Sequence, residues 1–125
     1  VGVAVQAKQN HGGYYILNLT EWSKEVNKTA VEHGWHSEGK EPSFGEVVAL
    51  CHSELSEALQ AYREGQPMRY VDSSGKPDGI AVEMADCLIR ILDWAGQNGI
   101  DMEEIVAEKN EYNKSRPYRH GNKKL

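Results

Sequence analysis

The stretch from 80 to 95, IAVEMADCLIRILDWA, sets apolar residues almost all the way round a helix: Ile80, Met84, Cys87, Leu88, Ile91, Leu92, Trp94 and Ala95. A helix with one face in water carries an apolar stripe, whereas one that is apolar on nearly every side needs neighbours on several sides. This segment therefore belongs in the middle of a helical bundle. Its polar groups, Glu83, Asp86, Arg90 and Asp93, fall on one narrow stripe at helical intervals.

Three more segments begin with helix-start chemistry. Asn18 with Glu21 three residues later forms a capping box, Leu17 and Trp22 are placed for a hydrophobic staple, and Leu19, Trp22, Val26 and Ala30 recur at helical spacing. Ser43 with Glu46 opens a second helix whose apolar pattern runs to Tyr62, with Gly65 as its stop. Asp101 with Glu104, flanked by an Ile100–Ile105 staple, opens a fourth that runs to about Lys114, and Pro117 bars much extension. The central helix is expected to begin near Asp78, after Pro77, and to end in the region of Gly96 and Gly99. Residues 65–79, rich in Gly, Pro, Ser and Asp, read as a loop. The expected fold is all-α, a bundle of about four helices completed by oligomerisation.

A chain of 125 residues has room for one domain. Residues 1–17 are taken as a partly ordered N-terminal extension, its first dozen residues given no functional weight, and the helical domain, with a basic C-terminal tail, spans 18–125. With 14 Lys and Arg against 19 Asp and Glu the formal charge is −5, which argues against stable nucleic-acid binding. No apolar run reaches the roughly 18–20 residues of a membrane span. Cys51 and Cys87 sit among apolar residues without a CxxC partner and read as reduced core thiols, so the expected compartment is the cytoplasm.

The second helix holds the least ordinary placement. Taking about 100° per residue, Val47, Leu50, Ala58 and Ala61 lie close to the direction of Glu54, so this acid falls inside the apolar arc, with Glu57 at its edge. His52, Ser56, Gln60 and Arg63 mark the solvent face. The Glu54/Glu57 pair has the same i, i+3 spacing as Glu83 and Asp86, so two adjacent helices turn four carboxylates toward one point. Like charges about 6 Å apart repel by roughly 3 kcal/mol per pair at an effective dielectric of 20. Such a gathering calls for a cation or for raised pKa values. Hard oxygen donors select Mg²⁺, with Mn²⁺ as a substitute, and Mg²⁺ sites are commonly completed by substrate phosphates. A di-iron site would need a Glu-x-x-His element on each of two helices, and neither Glu54 nor Glu83 has His three residues on. Zinc is disfavoured because the histidines are scattered and form no HExxH pair.

Three segments, SELSEAL at 53–59, EMADCLIRILDWA at 83–95 and EKNEYNKSRPYRHG at 108–121, resemble the MazG-like all-α nucleoside triphosphate pyrophosphohydrolases. The likeness runs from about residue 18 to the C-terminus. It rests on an ExxE helix and an ExxD helix, here Glu54/Glu57 and Glu83/Asp86 with 25 residues between the pairs. Ser53 stands where many members carry a further Glu. The resemblance implies Mg²⁺-dependent cleavage between the α- and β-phosphates of an NTP or dNTP, giving a nucleoside monophosphate and pyrophosphate, in nucleotide pool sanitation or control. It also implies metal binding by the four motif acids, phosphate contacts from Lys109 and Asn113, and assembly as a homodimer or homotetramer.

The residues themselves add to this expectation. Lys109 and Asn113 are one helical turn apart, and from 109 onward six Lys and Arg face one acid, Glu111, reversing the charge of the rest of the chain. Lys109 and Arg116 are the better candidates for phosphate contact, ahead of Arg119, Lys123 and Lys124. In the expected mechanism Glu57 accepts the proton of the attacking water, with Glu54 as the alternative, and Lys109 and Arg116 stabilise the phosphoryl oxygens. Trp22 and Trp94 read as core, while Trp35 reads either as a stacking platform for a nucleobase or as core or interface packing. His33 and His36 read as loop polar groups. Two rival functions share these features: a nucleotide sensor without turnover, and an acidic helical module that binds a protein.

Overall fold

The computed structural model describes residues 8–9 and 15–124. The fold is all-α: four helices, α1 (Leu19–Glu32), α2 (Phe44–Arg63), α3 (Ile80–Gln97) and α4 (Met102–Ser115), with two small hairpins and a short turn at Arg119–Asn122. In that last turn Arg119, His120, Gly121 and Asn122 all have positive φ. The caps follow the local chemistry. Asn18 and Glu21 form the full reciprocal box, Ser43 accepts from the Glu46 N–H, and Asp101 accepts from the Glu104 N–H. Gly65, at φ 71°, stops α2 in the left-handed conformation that glycine adopts without strain.

Helix α3 occupies the middle, packed against α1 on one side and α2 on the other. Pairings along it show α2 running antiparallel and tie α1 to its C-terminal half. Ser23 Oγ donates to the Leu92 carbonyl at 2.6 Å, and Asn27 reaches Asp93 and Gln97. On the other side the Phe44 ring lies 5.5 Å from Trp94, while Glu54 meets Arg90. The α1–α3 approach is closest at Gly96, where a Cβ would sit 2.8 Å from the Ser23 carbonyl and 2.9 Å from Asn27 Cβ.

The segment between α2 and α3 departs from the loop expected of it. Tyr70–Val71 pairs antiparallel with Pro77–Asp78, closed by the Asp72 carboxylate, which accepts from the Ser74 N–H and hydroxyl and the Lys76 N–H. Because Pro77 and Asp78 belong to this hairpin, α3 begins at Ile80, two residues later than expected. Gly79 has no side chain with which to cap it. The first amides of α3 instead donate to the carbonyls of Pro67 and Met68, an approach only glycine permits at 79 (φ 118°), since a Cβ would lie 2.7 Å from both oxygens. A second hairpin joins Lys8–Gln9 to Tyr15–Ile16, so part of the N-terminal extension is paired.

The core is small. Its buried apolar residues are Ala58, Ala61, Cys87, Leu92 and Ala95, and among the described residues no large side chain is wholly enclosed. Trp94 is half-buried as a core residue should be, but Trp22, also read as core, is exposed. Leu55, Leu59, Tyr62, Met84, Leu88 and Ile89 are exposed along α2 and α3. Cys87 is buried, Cys51 half-buried, and both are free thiols. Among the described residues no helix is long and apolar enough to cross a membrane.

Candidate metal centre and adjoining cavity

Three of the four motif acids converge. Glu54 and Glu57 on α2 and Glu83 on α3 each offer a carboxylate oxygen within 4.8 Å of the others. Glu54 is buried, as its place in the apolar arc requires, while Glu83 is half-buried and Glu57 exposed. Burial, a hydrogen bond with Glu57 and the charges of Glu57, Asp86 and Asp78 push the Glu83 carboxyl up to about 7 from its ordinary 4.5. This is the expected response of crowded acids without a cation. The donor set is all carboxylate oxygen, which fits Mg²⁺ or Mn²⁺.

Asp86 lies outside that set of converging oxygens. It sits one turn along α3, where burial first and the Glu54 charge second raise its pKa, against the pull of Arg90 and Lys76. Arg90 is the group that offsets the buried Glu54. Its Nε and Nη2 approach at 2.9 and 2.8 Å, and both fall on Oε1. Since a carboxylate has two oxygens, each with acceptor capacity, Oε2 is left to face other groups. Sequence reading placed Arg90 on the polar stripe but assigned it no role.

Glu54, Asp86 and Arg90 also line a cavity of about 700 Å³ enclosed by α1, α2, α3 and the segment after α1. Its walls are largely apolar, from Val26, Ala30, Val47, Leu50 and Ile89, with Trp35 at the rim, 69% exposed. That mixture of apolar walls and a few convergent polar groups is typical of a small-molecule site. At the end away from the acids stands Asp93. His36 Nε2 lies 2.9 Å from both its oxygens, and Asn27 Nδ2 donates to Oδ1 at 3.0 Å. His36 is therefore no solvated loop group: its side chain is 5% exposed, and its Nδ1 lies 3.2 Å from Glu41 Oε1. It ties the Trp35 segment to α3. His33, by contrast, is exposed: it lines the cavity, and its Nδ1 meets the Thr29 carbonyl one turn back.

The basic candidates lie elsewhere. Lys109, Asn113 and Arg116 belong to α4 and its C-cap, and none lines the cavity. No residue of α4 is buried, and its ties run to the start of α1, where the Thr20 hydroxyl meets Asp101 and Glu103. Lys109 Nζ stands 4.7 Å from the centroid of the Tyr112 ring and the Arg116 guanidinium 5.9 Å from it, so the three form a cation–π group. The chain thus brings Glu54, Asp86, Arg90 and Trp35 around the cavity, with Glu57 and Glu83 beside Glu54, but leaves Lys109, Asn113 and Arg116 apart from it. Comparison with protein-family models, with curated proteins and with solved structures found no match.

Proposed function

We propose that this chain is a Mg²⁺-dependent nucleoside triphosphate pyrophosphohydrolase that cleaves between the α- and β-phosphates. The observation that carries the reading is Glu54, which belongs at once to the three-acid cluster and to the wall of the cavity. A ligand in that cavity has its charged end at the acids, where only a cation makes a polyphosphate welcome. The resemblance of the ExxE and ExxD helices to MazG-like enzymes supplies the reaction type.

In this reading Glu54, Glu57 and Glu83 hold the cation, with Asp86 adjoining it. A divalent ion there neutralises substrate phosphates and acidifies water. Arg90 holds Glu54 in place through Oε1. Glu57, the most exposed of the three, accepts the proton of the attacking water, with Glu54 as the alternative. Trp35 stacks on the base at the cavity rim, and the apolar walls keep bulk water from its far end.

Lys109, Asn113 and Arg116 meet the phosphates in a homodimer or homotetramer, where α4 of one copy approaches the cavity of another. The uncovered apolar residues of α2 and α3 support such an assembly. The test is turnover in the Glu54→Gln variant. It should lose at least about 100-fold in Mg²⁺-dependent rate while its circular dichroism stays that of the wild type; an unchanged rate contradicts the assigned role.

A further inference from the structure

We propose that Asp93 reads the base, favouring nucleotides that carry an exocyclic amino group where uracil and hypoxanthine carry an oxo group. This rests on the nucleotide reading above and deepens it. Asp86 and Asp93 lie seven residues apart on one face of α3 and both line the cavity. Seven residues of helix span about 10.5 Å, close to the reach of a nucleoside monophosphate from its base edge to its phosphate. A phosphate at the Glu54 and Asp86 end therefore brings the base edge to Asp93.

The carboxylate at that end is fixed and partly used. Oδ1 already accepts from Asn27 and His36, and among the described residues Oδ2 faces His36 alone. A carboxylate has about four acceptor positions, so one remains on Oδ2, and the side chain is 21% exposed to the cavity. An amino group projecting from the ring, such as N4 of cytosine or N6 of adenine, can donate to that single position. The N3–H of uracil lies between two carbonyls, and the N1–H of hypoxanthine lies beside one. Bringing either to Oδ2 presses carbonyl oxygen against the occupied carboxylate, which repels rather than binds.

The experiment is calorimetric binding of CMP against UMP and of AMP against IMP, with Mg²⁺ present, to the wild type and to Asp93→Asn. The amide can donate as well as accept, so it removes the basis of the choice. The wild type should prefer the amino member of at least one pair by about tenfold, one hydrogen bond to a charged acceptor, and Asp93→Asn should bring that pair within about twofold. Equal binding within both pairs overturns the proposal, as does a preference that survives in a folded Asp93→Asn or failure of all four to bind. Should the variant lose its helicity, the wild-type pairs decide alone. Pyrophosphate release from NTPs is scored separately. Turnover without amino preference removes this inference and leaves the enzyme, whereas amino-selective binding without turnover removes the enzyme and leaves Asp93 as the base-reading group of a sensor.

Discussion

Glu83 is the residue where crowding leaves its clearest mark. Burial and the neighbouring acids raise its pKa to about 7 in the folded protein, so between roughly 4.5 and 7 the native state binds more protons there than the unfolded chain. By linkage that contribution to stability is present at low pH and is lost as pH rises through 7. Glu83→Gln removes it. Measured without divalent metal, the stability of the variant relative to the wild type should rise between pH 5 and pH 8, and millimolar Mg²⁺ should reverse the trend by stabilising the wild type at pH 8. Parallel curves for the two proteins would contradict the account. Glu54 could be picked out from the sequence because one helix's periodicity fixes its face. Its partner Arg90 could not, because the pairing depends on the register between α2 and α3. His36 had no signal at all: its burial comes from Asp93, 57 positions away.

The caps show why the helices were readable and the connections less so. Asn18, Ser43 and Asp101 act within three residues of themselves, so the chemistry that starts a helix is written beside it. The Tyr70–Asp78 hairpin has two-residue strands, too short to show a period, and its closure by Asp72 shifted the expected start of α3. Gly96 lay hidden for a different reason. It was taken as part of a helix stop, yet it sits inside α3 and lets α1 come close. Gly96→Ala adds a Cβ 2.8 Å from the Ser23 carbonyl. The gain in helix propensity is smaller than the cost of overpacking. Urea unfolding should therefore show a net loss of about 1–2 kcal/mol; equal or greater stability would mean that α1 and α3 are not in contact there.

At the scale of the molecule, the apolar faces of α2 and α3 remain partly uncovered. Leu59, Met84 and Leu88 are among the apolar side chains left uncovered. Sedimentation should find a dimer or tetramer, and Leu88→Glu should shift it toward monomer; a monomeric wild type at micromolar concentration would leave α4's cations without a cavity to serve. The sequence points to such an assembly only in outline, since a hydrophobic central helix calls for neighbours without saying where they come from. The acid cluster was nearer to the surface of the sequence than the cavity was, because the cavity is made by three helices and the loop that His36 holds. The measurement that bears most directly on the whole account is product analysis for a panel of NTPs and dNTPs, with Mg²⁺ and with EDTA. The account predicts equal amounts of nucleoside monophosphate and pyrophosphate, formed with Mg²⁺ and abolished by EDTA. Nucleoside diphosphate and inorganic phosphate as the products, or no products from any nucleotide in the panel, would contradict it.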